Sequence, residues 1–307
     1  MVAENLQILR GEINQRKLVN NLFAVVGLII ILVSVLILLA LILQLAINGW
    51  SRITPEFFTS FPSRRAENAG ILSAWVGTSL VMLVTAFFAV PLGIASGVYL
   101  EEYARKNWLS ALIEINVTNL AGVPSIIYGL LALGVFVYQF QLGESILAAG
   151  LTLALLILPV VIVTTREALR AIPNSLREAA YAMGASKWQM IWDHILPYSF
   201  GSILTGIIIG LSRAIGETAP VITIGALTFI AFLPDSPIKS EFPFISFEWL
   251  KAPFTLMPIQ MFNWVSRPEP EFEVNAAAAG TVLLFMTLAM NGIAIFLRYR
   301  FRKGIKW

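Results

Sequence analysis

From residue 19 to residue 47 the chain runs without a single charged side chain. That exceeds the roughly 20 apolar residues a helix needs to cross a bilayer, and far exceeds the core of a secretory signal, about 7 to 15 residues. Lipid offers no water to backbone N–H and C=O groups, so a segment placed there must satisfy them within itself, as a helix does. Five further apolar runs follow, near residues 70–100, 116–140, 144–165, 198–230 and 276–297. The expectation is an all-α polytopic membrane protein with six transmembrane helices: a polar tail over 1–18, then one membrane domain over 19–307. With 58% hydrophobic and only 13% charged residues, no stretch is left for a separate soluble domain.

Six crossings put both termini on one side. That side carries fourteen lysines and arginines against six on the other, which predicts cytoplasmic termini, a cytoplasmic segment over 166–196 and an outer excursion over 231–275. The net charge of +3 sits at helix ends rather than in a patch interleaved with aromatics, so membrane orientation explains it and nucleic acid is not expected as a partner. The chain has no cysteine, which excludes disulfides, iron–sulfur clusters and thiol nucleophiles. Its one histidine, His194, reads as a loop or helix-end residue and not as a metal ligand. No phosphate-cradling G-x-x-x-x-G-K-[ST] loop occurs, so nucleotide is not hydrolysed by that route.

Two apolar runs contain features that lipid alone would not tolerate. The third holds Gly122-Val-Pro-Ser125, with Tyr128 and Gly129 behind it, a break acceptable where it lines a cavity. The fifth holds Arg213 and Glu217, four residues apart and so on one helical face. A charge at bilayer depth costs about 2.5–3.5 kcal/mol on insertion scales, so the pair marks either a structural bridge between helices or a polar pathway. A guanidinium suits forked hydrogen bonding to an oxyanion, whereas Glu217 would restrain or gate an anion and not ligate it. Ser202, Gly206, Gly210 and Ala214 form a ridge of small residues beside the pair, which lets another helix approach closely. Pro91 and Pro159 are candidate hinge points.

Residues 166–196 read as helix, glycine turn, helix. Gly184 is the stop of the first, and capping boxes are visible at Ser175-x-x-Glu178 and Ser186-x-x-Gln189. The outer excursion is rich in proline and aromatics. Phe247, Trp249, Phe254, Phe262 and Trp264 read as a segment lying in the membrane interface, with docking of an external binding protein as the alternative.

The run Glu178-Ala179-Ala180, then Gly184, then Leu196-Pro197, resembles the EAA loop of ATP-binding-cassette importer permeases of type I, with His194 where that pattern has isoleucine. The stretches 122–129, 212–220 and 257–268 narrow the likeness to permeases of inorganic-phosphate importers. Thr218-Ala-Pro220 and Asn263-Trp264 favour their A-type subunit. This resemblance implies a bacterial inner-membrane subunit that forms half of a translocation pathway and is not itself an enzyme. It would hold no cofactor, ATP and magnesium residing on the partner ATPase. Its partners would be a C-type permease, two ATPase copies, an extracytoplasmic phosphate-binding protein and the bilayer. Ser125, Tyr128, Arg213, Glu217 and Thr218 would line the substrate pathway. Arg177, Glu178, Ala179, Ala180 and Gly184 would couple to the ATPase. The open alternatives are an importer for another oxyanion and a self-contained ion-coupled symporter.

Overall fold

The computed structural model describes residues 2–105, 107–236 and 246–302, with side chains between 16 and 300. The helices are α1 (Val2–Gly49), α2 (Pro55–Thr59), α3 (Leu72–Val98), α4 (Trp108–Leu120), α5 (Ser125–Ala132) and α6 (Ile146–Arg170). They continue as α7 (Asn174–Ala182), α8 (Lys187–Gln189), α9 (Leu196–Gly216), α10 (Ala219–Thr223), α11 (Met257–Val265) and α12 (Glu271–Arg302). Among the described residues there is no strand. Wider π-helical turns prolong α3 to Tyr103 and α5 to Gln139, and join α8 to α9, so Lys187–Gly216 is one continuous rod of 30 residues.

Side-chain contacts fix the direction of each crossing. Gly150 lies on Val84, Gly93 on Val161 and Gly97 on Thr165, so α3 and α6 run parallel. The chain must therefore cross back between them, and only α4 and α5 are available. α9 returns antiparallel to α6, with Gly206 on Thr164 and Gly210 on Ile157. α12 runs antiparallel to α9, where Arg298 donates to Thr205 (3.0 Å) and Ser212 donates to Asn291 (2.6 Å). α1 in turn lies antiparallel on α12, Gly49 against Ala278. Five helices are long and apolar enough to span, and the bent α4–α5 pair completes the sixth crossing that the topology demands. One end of the bundle carries α7, called here the hook end; the other is the loop end. α1 is helical across residue 18 without interruption, so the polar tail expected over 1–18 extends the first spanning helix.

The break expected at Gly122-Val-Pro-Ser125 is present and turns the chain through 106°, because Pro124 removes a donor and starts a new helix at Ser125. Two other sequence expectations are corrected by the geometry. The fifth span ends at Gly216 instead of near residue 230, since Glu217 is extended (ψ 127°) and Pro220 opens the short α10. The excursion's aromatics divide: Phe247 and Phe262 are exposed, but Trp249, Phe254 and Trp264 are buried. Trp264 packs between Phe57 and Phe272, at ring-centroid distances of 6.0 and 6.5 Å, so α11 is part of the core and not an interfacial helix. Of the excursion's prolines, Pro237 and Pro243 fall outside the described residues.

The loop end is tied by one side chain. Arg52 donates to the Asn275 carboxamide (2.9 Å) and to the carbonyls of Ala66, Glu67 and Ala69, while its guanidinium lies 5.5 Å from the Phe57 ring centre. This joins the end of α1 to the start of α12 and to the loop before α3. Starts of the inner helices are capped by side chains: Asn107 accepts from Ser110 N–H at α4, and Ser145 accepts from Ala148 N–H at α6.

Candidate pathway and coupling site

Arg213 stands in the last turn of α9, where a cation complements the partial negative charge of the helix C-terminus. Its Nε reaches Glu217 Oε1 at 3.3 Å. The pair is thus at a helix end, not in mid-helix, and its side chains are 39% and 19% exposed. On α9 the small ridge faces inward: Gly206, Gly210 and Ala214 are buried, against α6. Ser202, which begins that ridge in sequence, is exposed, and so are Ile209, Arg213 and Gly216. With α6 on one flank and α12 on the other, the face bearing Arg213 is the open one.

Two distant motifs meet at this point. Gly129 of α5 lies so close to Pro220 and Thr223 of α10 that a β-carbon there would overlap both. Only glycine permits the approach, which sets α5 against the segment Glu217-Thr218-Ala-Pro220. Ser125 occupies the first turn of α5, half-buried, and Thr218 the residue before α10, also half-buried. Tyr128 is buried, and its hydroxyl donates to the Leu120 carbonyl at 2.7 Å. That proton is committed to bracing the bend between α4 and α5. The five residues read as pathway residues are therefore gathered around the α5–α10 junction, with Tyr128 acting from behind.

The hook is built as its sequence predicts at its turn. Gly184 has φ +85°, a left-handed conformation natural to glycine, and a β-carbon there would meet nothing within 4 Å. Gly184 N–H bonds Tyr181 O (2.9 Å) and Ala185 N–H bonds Ala180 O (3.0 Å), the paired closure of a Schellman motif. Ser186 and Gln189 form their reciprocal cap, but the Ser175–Glu178 box does not exist: α7 already begins at Asn174 behind Pro173, so Ser175 lies inside it.

Of the residues read as coupling residues, Glu178, Ala179 and Gly184 are exposed, together with Tyr181 and Met183. Ala180 instead is buried in a small core with Leu169, Met190, Ile191 and Ile195. Arg177 also points inward. It donates from Nη2 and Nε to Glu102 (2.7 and 3.1 Å) and to the carbonyls of Ile172 (2.8 Å) and Leu169 (2.9 Å). Its partner, and the neighbouring pairs Arg170–Glu101 (2.9 Å) and Arg166–Glu114 (2.9 Å), were not identified from the sequence; the separation of 52 to 75 residues leaves no local pattern to find them by. Among the described residues, no group of His, Cys, Asp and Glu could hold a metal.

Comparison with known proteins agrees with this arrangement. Residues 89–307 match the model of the "Binding-protein-dependent transport system inner membrane component" family. The chain is 32% identical to the phosphate transport system permease protein PstA of Yersinia pestis, over 91% of this chain and 89% of that one. It is 30% identical to PstA of Pasteurella multocida, over 95% and 97%. In fold it resembles a chain of the methionine ABC transporter MetNI in an inward-facing conformation (TM-score 0.58, 17% identity, 75% of this chain and 95% of that chain). With the family model covering most of the chain, this protein is a multi-pass membrane protein that belongs to the inner-membrane component family of binding-protein-dependent transport systems.

Proposed function

We infer that the chain is the A-type permease subunit of an ATP-driven importer of inorganic phosphate. The observation that carries this reading is the continuous rod from Lys187 to Gly216. At about 1.5 Å per residue it extends roughly 45 Å, with the exposed hook before its first turn and Arg213 in its last. A push on the hook thus moves the charged pair directly. Arg213 presents a forked donor on the one open face of α9, and Glu217 holds it at 3.3 Å until an anion competes for the guanidinium. Phosphate, with several strong acceptor oxygens, is suited to displace that bond, and the relatives' names support phosphate over other oxyanions.

The chain supplies the path and no hydrolytic chemistry. A second permease, the C-type subunit, would cover the open face of α9, and two ATPase copies would bind ATP and magnesium. A phosphate-binding protein would deliver substrate at the loop end. The lysine and arginine imbalance supports a cytoplasmic hook and cytoplasmic termini. The test is uptake of labelled phosphate by the full complex in proteoliposomes, with sulfate and molybdate as competitors. The reading expects ATP-dependent phosphate uptake unaffected by excess sulfate or molybdate. Preferential uptake of another oxyanion, or uptake by this chain without an ATPase, would overturn it.

A further inference from the structure

We propose that Glu101, Glu102 and Glu114 form, with Arg166, Arg170 and Arg177, an ion-pair clamp that transmits movement of the hook to the broken α4–α5 crossing. The proposal rests on the importer reading above and identifies a second route, distinct from the α8–α9 rod, by which the hook reaches the charged pair.

The charges are segregated by element. Every glutamate lies on α4 or the π-helical end of α3, and every arginine on α6 or α7. Arg177, within the hook helix itself, fastens Glu102 with two nitrogens, and both side chains are largely buried, at 16% and 8% exposure. Arg170 grips Glu101 through Nε and Nη2 (3.1 and 2.9 Å). Arg166, itself buried, reaches Glu114 at 2.9 Å.

Little else connects α4 to these parts. An open cavity of about 830 Å³ lies between the end of α3, the start of α4 and the arginine-bearing helices. α4 has no buried residue, and Leu109, Leu112, Ile113 and Ile115 are all exposed. Val98 packs the end of α3 on the small core of Leu169 and Ala180, but α4 has no such buried apolar contact, so its ion pair from Glu114 to Arg166 sits where apolar packing is missing. Forked ion pairs are directional and oppose sliding and rotation. The route continues beyond the clamp. α4 is braced to α5 by the Tyr128–Leu120 hydrogen bond, and α5 meets α10 at Gly129, next to Thr218 and Glu217. The three glutamates are positioning residues, since none faces the pathway junction.

The test uses the full reconstituted complex and reads phosphate taken up per ATP hydrolysed. Glu102→Gln should leave the complex assembled and hydrolysing ATP, while this ratio falls at least tenfold. Because the chain has no cysteine, Glu102→Cys with Arg177→Cys, in partners freed of cysteine, can replace the ion pair by a bifunctional methanethiosulfonate, which joins the two thiols through reducible mixed disulfides. The cross-linked form should regain the ratio and lose it again on reduction, a response that a merely stabilising bridge would not give. An unchanged ratio in Glu102→Gln, or an assembled cross-linked complex that stays uncoupled, would overturn the clamp. Should Glu102→Gln fail to assemble, the more exposed Glu114→Gln carries the same test, and an unchanged ratio there would overturn it equally. Phosphate uptake absent from the unmodified complex would refute the importer reading instead, so the two failures are distinguishable.

Discussion

Gly184 allows conformational strain to be separated from contact with a partner. Its φ of +85° costs an L-residue about 1–2 kcal/mol, while the space around its missing β-carbon is empty within the chain. Gly184→Ala therefore adds strain and no internal clash. If the competent hook is in balance with an opened form, its population falls by up to about 5- to 30-fold, and the apparent affinity for the ATPase falls equally. Gly184→Asn should lose less, because asparagine tolerates left-handed geometry. Gly184→Trp pays the same strain as alanine and also places an indole on the exposed face of the hook beside Met183, which is 81% exposed. Titrating purified ATPase against the permease pair in nanodiscs should rank the variants glycine, asparagine, alanine, tryptophan, with tryptophan more than tenfold below alanine. Equal affinities for alanine and tryptophan would mean that nothing covers the hook, and the docking argument would fail. Equal affinities for asparagine and alanine would refute the strain argument alone.

Two further substitutions probe the elements that hold the pathway in place. Tyr128→Phe removes the donor to the Leu120 carbonyl at the bend, at a cost of about 0.5–1.5 kcal/mol for a part-buried hydrogen bond; thermal stability in detergent should fall by a few degrees and uptake should decline, with ATPase docking unchanged. Arg52→Lys keeps the charge but cannot bridge Asn275 and the carbonyls of Ala66 and Ala69 at once, so it should destabilise the solubilised protein nearly as much as Arg52→Gln, measured by onset of aggregation on heating.

Much of the fold was legible because lipid imposes long apolar runs, and the hook was legible because a left-handed turn selects glycine. The small ridge on α9 could also be read, as Gly206 and Gly210 had to face a helix. What sequence could not supply was partnership between distant segments. Arg177 reads as a rim residue able to pair beside Glu178, yet it belongs to Glu102, seventy-five residues earlier. Ala180 looks as available as Ala179, yet α7 turns it onto Leu169 and Ile195. Apolar content also hides helix ends. The stretch 217–230 is hydrophobic enough to continue a span, and only the extended Glu217 and the following Pro220 stop it. Trp264 suits an interface or a core equally well, and Phe57 and Phe272 make it part of the core.

The central claim is that the guanidinium of Arg213 serves a passing anion and is not a mere strut. The direct measurement is phosphate uptake by the reconstituted complex carrying Arg213→Gln, alongside the yield of assembled complex and its ATP hydrolysis. The account predicts loss of uptake with assembly and hydrolysis retained. Uptake that persists, or disappears only because the complex no longer assembles, would contradict it.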